Sequence, residues 1–312
     1  MTRMRPPRPP RPPRMRVEGW QHRLRFELLG RRLLARSLQA LSGAPADLDG
    51  AARAELQRRT AVALFEHLQV ELKIEGLPNL PRAGRSHLVI ALHEGMADGL
   101  ALSLLGLPLR FVARDEVLGW PTIGPALTRM RHIGVTPEHG ASAYRQLLRE
   151  AAAVRASGEH LGMFPQGTVL GIETEFRAGA FRLAHALSLP ILPVVITGTH
   201  RIWEHPFAPT LRYRQVVGVR VLPAIGAADV AAAAPEAMRA HCQRLMKQAA
   251  LAGDLPAPRR FVPVRDGWWD GFSFAIDPAF MPLREALRRR RALRHETLDL
   301  EADGLIASLA KQ

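Results

Sequence analysis

His93 and Asp98, in "ALHEGMADGL" (residues 91–100), are the residues whose types and spacing point most directly to chemistry. An apolar run, "HLVIAL", leads into the histidine, and a helical pattern starts near the aspartate. A histidine closing a strand and an acid about one turn into the next helix have side chains that converge across the turn. A carboxylate on one ring nitrogen holds the imidazole and leaves the other nitrogen as a base. Such a pair takes a proton from a hydroxyl without a serine or cysteine nucleophile. The same spacing also suits a plain strand-to-helix turn with an acid at the helix N-terminus. The rest of the chain has to decide between the two.

Other chemistries leave no signature. There is no Gly-x-Ser-x-Gly, no HExxH, no Walker loop and no GxGxxG behind a strand. His132/His139 and His200/His205 read as isolated histidines on a basic surface, so no metal and no bound cofactor are expected. Cys242 is the single cysteine and reads as a helix packing residue; no intrachain disulfide can form, which fits a reducing cytoplasm.

The elements that must position His93 and Asp98 alternate. "VELKIEG", "HLVIAL", "LRFVA", "HIGVT", "HLGMF", "PILPVVITG" and "VVGVRVLP" are short β-prone runs, and helical patterns at 95–106, 121–131, 139–157 and 176–188 separate several of them. Near-continuous apolar strands between helices predict an α/β fold: a central, mostly parallel or mixed sheet flanked by helices. Residues 17–42 and 51–70 predict an N-terminal amphipathic two-helix segment ahead of it, and Ala231–Ala252 a further helix. The expected division is a Pro/Arg tail (1–16), an N-terminal helical segment (17–74), a core (75–225) and a C-terminal helical extension (226–312).

The charge is +14, from 43 Lys+Arg against 29 Asp+Glu, and only Lys73, Lys247 and Lys311 are lysines. Such a field favours anionic partners: lipid head groups, nucleic acid, acidic carrier proteins or phosphorylated metabolites. With 6% aromatic residues and no recognition-helix or zinc-finger pattern, nucleic acid is not the expected partner. No secretory signal and no membrane-spanning run stand out. In 17–42, Trp20, Leu24 and Leu28, continued by Leu34, Leu38 and Leu41, form an apolar row among Arg23, Arg25, Arg31, Arg32 and Arg36. That row can lie in a membrane interface or pack on the protein's own domain.

The motifs together resemble the glycerolipid acyltransferases, in particular the 1-acylglycerol-3-phosphate O-acyltransferase (lysophosphatidic acid acyltransferase) family. "LVIALHEGMADGLAL" resembles its His-x4-Asp motif, "LRFVARDEVLGWPTIGPALTRMRHIGV" its second block, "MFPQGT" its Phe-Pro-Glu-Gly-Thr motif and "FRAGAFRLAHALSLPILPVVI" the stretch into its fourth. Order and spacing agree over roughly 75–225. The resemblance implies acyl transfer from acyl-CoA or acyl carrier protein to a hydroxyl of a lysolipid acceptor. His93 is then the general base and Asp98 its orienting partner, with Arg114, Phe164, Pro165, Gln166, Gly167 and Thr168 in substrate contact. Backbone N–H groups of the Gly167–Thr168 turn are candidate oxyanion donors. It further implies a cytoplasmic protein held peripherally on the anionic inner face of the cell membrane.

Three positions depart from the family pattern. Gln166 stands for the usual glutamate, Val169 for the arginine that follows the threonine, and Pro137 near the place of another arginine. Arg114, Arg129, Arg131 and Arg177 could supply the missing cations, or the acceptor carries no phosphate, as a glycolipid does. A non-catalytic basic protein binding membranes or nucleic acid is the alternative outside catalysis. An acyl chain also needs an apolar groove, for which "GWWDGFSF" is one candidate lining and otherwise a core aromatic cluster.

Overall fold

The computed structural model describes residues 28–285 together with Trp20 and Leu24, except for 83, 122, 204–210, 263–265 and 267–273. The 1–16 tail, the start of the 17–42 helix, most of "GWWDGFSF" and the basic run 288–294 lie outside the described residues.

All seven β-prone runs form strands of one sheet: β1 (Glu71–Glu75), β2 (Leu88–Ala91), β3 (Leu109–Arg114), β4 (Ile133–Val135), β5 (His160–Met163), β6 (Ile191–Thr197) and β7 (Val216–Val221). Their order is β1-β7-β6-β2-β5-β3-β4. Every pairing is parallel except β6 with β7, so the sheet is mixed. β2 and β6 are buried along their whole length, which is why they read as unbroken apolar runs. Alternation still assigns faces: Leu88 and Ile90 join one core cluster, Val89 and Ala91 the other.

Helices α1 (Leu29–Ser42), α2 (Gly50–His67) and α3 (Asp98–Ser103) are followed by α4 (Asp115–Leu118), α5 (Gly124–Arg129) and α6 (Ala141–Ala156). Then come α7 (Gly179–Leu187), α8 (Ala227–Ala232) and α9 (Pro235–Leu251). Asp49 caps α2, its carboxylate accepting from Ala52 N–H at 2.7 Å. The Ala231–Ala252 pattern is two helices, not one. Ala234, at ψ 139, precedes Pro235, whose ring disfavours a helical residue before it.

Two expected boundaries differ from the packing. Residues 71–74, read as part of the N-terminal helical segment, belong to β1 and pair with β7. Residues 226–251, read as part of an extension, carry Met238, Cys242 and Met246 into the main core. Beyond α9 an irregular strap (252–262) runs past the end of β6, where Pro256 lies against Gly198, to Glu94, which accepts from Arg259 N–H. Burial pushes the Cys242 thiol pKa up to about 12, consistent with a packing role.

The N-terminal row divides. Leu33 and Leu34 pack on the core and Leu38 and Leu41 on Ala126 and Met130. Trp20, Leu24, Leu28 and Leu29 are exposed. Among the described residues no helix is long and apolar enough to cross a membrane.

Candidate active site

β2 ends in a turn that carries His93 to the edge of a cavity, and α3 begins with Asp98. His93 Nδ1 lies 2.6 Å from Asp98 Oδ2, which also accepts from Glu94 N–H (2.7 Å) and Gly95 N–H (3.0 Å). Asp98 Oδ1 accepts from the Thr199 hydroxyl. Asp98 is fully buried, so these donors replace the water it lacks. Gly95 is what permits this convergence. A Cβ there would stand 2.9 Å from the Trp203 carbonyl and 3.1 Å from His200 Cα, pushing away the turn that supplies Thr199.

The imidazole is fixed on its other sides too. Phe164 stacks on it with centroids 4.2 Å apart and planes 18° apart. The His93 N–H donates to Gln166 Oε1 at 2.7 Å. Gln166 Nε2 in turn donates to Gly171 O and to Thr174 Oγ1, both at 2.8 Å. Gln166 is 2% exposed, so the expected substrate contact is corrected: its carboxamide has only protein partners and serves as a clamp on the His93 backbone. Pro165 is likewise buried, its carbonyl accepting from Arg177 N–H. Gly167, at φ +66, turns the loop; a Cβ there would meet Arg177 Nε at 2.9 Å. Its N–H already donates to Phe164 O at 3.0 Å and is not open to an oxyanion. Thr168 follows, half-buried, its hydroxyl accepting from Leu170 N–H at 3.4 Å.

His93, Phe164, Gly167 and Arg114 line one cavity of about 320 Å³. Its walls come from α1 (Leu34, Leu38, Leu41), α3, β3 and α5, so the N-terminal helix closes the site. "GWWDGFSF" contributes no described residue to it. Phe274 packs instead with Phe261 against Leu170 and Phe280, a small aromatic core. Arg114 sits at the end of β3 with Glu116 Oε1 at 3.3 Å, and the Arg177 side chain lies against Gly167.

Glu94 is a residue sequence reasoning missed. Its Oε2 accepts from Gly198 N–H (2.8 Å) and lies 2.9 Å from His200 Nδ1; its Oε1 accepts from Arg259 N–H (2.8 Å). It ties the His93–Asp98 turn to the β6 end and to the strap. Burial raises its pKa and the nearby Asp98 adds to the rise, while His200 opposes both. The only sequence signal was an acid inside an apolar turn.

Residues 71–197 match the Acyltransferase family. A 1-acyl-sn-glycerol-3-phosphate acyltransferase of Limnanthes alba is 33% identical over 121 residues, 38% of this chain and 42% of that protein. The enzyme of that name from Pseudomonas aeruginosa is 26% identical over 161 residues, 51% and 60% of the two chains. The chain thus spans about two fifths of the length of the plant relative. The 1-acyl-sn-glycerophosphate (LPA) acyltransferase PlsC of Thermotoga maritima has the same fold, with a TM-score of 0.54 at 19% identity over 73% of this chain and 90% of that one. The family match ends at β6 and holds the His93–Asp98 turn, so residues 71–197, the part of the chain that builds this site, are similar to the Acyltransferase family.

Proposed function

We propose that this protein transfers an acyl chain from an acyl thioester, acyl-CoA or acyl carrier protein, to a hydroxyl of a lysophospholipid-type acceptor. The observation that carries this reading is a buried, fully hydrogen-bonded Asp98 holding His93 Nδ1 at the edge of a largely apolar cavity. With Nδ1 engaged, Nε2 is the ring atom left for a substrate hydroxyl. It takes the hydroxyl proton as the oxygen attacks the thioester carbonyl, and Asp98 stabilises the imidazolium that forms. When the tetrahedral intermediate collapses the C–S bond breaks and the thiolate takes the proton from Nε2. Thr168 N–H, which has no backbone partner among the described residues, is the donor suited to the transient oxyanion. The cavity holds the acyl chain, whose burial is worth about 0.8 kcal/mol per methylene.

The relatives' names support a 1-acylglycerol-3-phosphate acceptor. Arg114, on the cavity wall, and Arg177, whose side chain lies against Gly167, are the cations suited to its phosphate. Val169 and Pro137, where the family carries arginines, favour a second reading in which the acceptor has no phosphate. The exposed Trp20, Leu24, Leu28 and Leu29, with the positive charge, suit docking on the anionic inner surface of the cell membrane.

The test is incubation of the purified protein with a labelled acyl thioester and a total lipid extract, followed by identification of the labelled lipid. A labelled phosphatidic acid supports the first acceptor and a labelled neutral lipid or glycolipid the second. Transfer that survives His93→Ala would refute the mechanism.

A further inference from the structure

The cavity is apolar along most of its wall, but three polar side chains from three elements also line it: Gln57 of α2, Ser103 of α3 and His132 ahead of β4. Gln57 bonds the Arg53 carbonyl, and the Arg53 charge acts on His132. Strand register measures the depth. Phe111 and Val89 both pair with Gly162, so Phe111 is level with a residue four before His93. At 3.3 Å per residue that is roughly 13 Å along the sheet from the base. His132 sits at that level, because its Nδ1 accepts from Phe111 N–H at 3.1 Å.

The protonation state follows from the surroundings. Burial, with Arg110 and Arg53 next in weight, lowers the His132 pKa to about 3, Glu159 opposing them. The ring is neutral at working pH, and because Nδ1 accepts, the proton is on Nε2. His132 Nε2 makes no hydrogen bond among the described residues, although the residue is nine-tenths buried. Gln57 Nε2 donates, at 3.4 Å, to Arg53 O, which leaves its Oε1 as an acceptor. Ser103 Oγ donates to Gly99 O at 2.8 Å and keeps its lone pairs. One donor and two acceptors in an otherwise apolar pocket match a hydroxyl, which gives and receives. A purely hydrocarbon end would leave them unsatisfied.

We infer that the acyl chain this cavity accepts carries an oxygen function, a hydroxyl, well along the chain from the thioester, read by His132, Gln57 and Ser103. This rests on the acyl-transfer reading and adds a specificity to it.

The test is kcat/KM of the full-length protein with palmitoyl-CoA and with hydroxypalmitoyl-CoA isomers whose hydroxyl is stepped along the chain. At least one isomer is expected to exceed palmitoyl-CoA by about three- to tenfold, the worth of one net hydrogen bond. His132→Asn keeps an acceptor near the Nδ1 position for Phe111 N–H but removes the Nε2 donor, and should bring that ratio to about one. Gln57→Met should lower it independently, and the wild-type series alone decides if His132→Asn does not fold. Turnover in which palmitoyl-CoA equals or beats every isomer overturns this inference and leaves acyl transfer standing. No turnover with any of these donors, nor with palmitoyl-acyl carrier protein and its hydroxylated isomers, removes the acyl-transfer reading, and this inference with it.

Discussion

Gln166→Glu restores the residue usual in the family, and here it is expected to harm. The wild-type carboxamide accepts from His93 N–H and donates to Gly171 O and Thr174 Oγ1. A carboxylate keeps the first bond and loses both donations. Thr174 can turn its hydroxyl to the new oxygen, but the Gly171 carbonyl then faces a buried anion. A buried group left against an unsuitable partner costs about 1–3 kcal/mol. At about 2 kcal/mol, the melting temperature falls by roughly 3–6 °C for a chain of this size. Protonation relieves the clash, since the acid form can donate to Gly171 O, so the folded-state pKa of the introduced glutamate rises above the unfolded value near 4.3. The folded protein then holds a proton that the unfolded chain has lost. Relative stability is therefore best below about pH 4.3 and declines as pH climbs through the raised value. Thermal denaturation of both proteins at pH 5 and pH 8 measures this directly. The deficit should be larger at pH 8, and acyl transfer should fall with it because the His93 backbone loses its anchor. Equal stability at pH 8 would refute the clamp.

Asp98→Asn should lower kcat by about 10³–10⁴. Folding should survive it: one Asn oxygen still serves His93, Glu94 and Gly95, and Thr199 can turn to accept; a rate above a tenth of wild type would contradict Asp98's role. Glu94→Gln puts an amide N–H₂ against one of three fixed donors and should free the strap. Limited proteolysis within 252–262 should then precede global unfolding, and an unchanged cleavage pattern would show that Glu94 does not hold it. Ala126→Leu adds bulk from α5 into the cavity wall. Turnover of long-chain donors should fall more than that of short-chain donors, and a parallel loss for all lengths would argue against an acyl cavity there.

What the sequence determined alone was local. β2 and β6 were legible because each is a short, nearly continuous apolar run, which is what burial on both faces demands, whereas β1, Glu71–Glu75, is exposed and was legible only from its alternation. His93 and Asp98 were legible because they share one turn, and a fixed spacing puts their side chains together. Only tertiary structure decided the rest, because it depends on contacts between distant segments. Gln166 acts on His93 across 73 residues, Thr199 on Asp98 across 101, and Glu94 on Arg259 across 165. Nothing in "FPQGT" says which way its carboxamide points, and a motif read residue by residue placed it against substrate. The same limit applies to 17–42. Its amphipathic row is equally suited to a membrane or to the domain, and only the packing of Leu38 and Leu41 on Ala126 and Met130 shows that its second half closes the cavity. Hydrophobic burial is non-directional, so periodicity shows that a face is covered and leaves its partner to the fold.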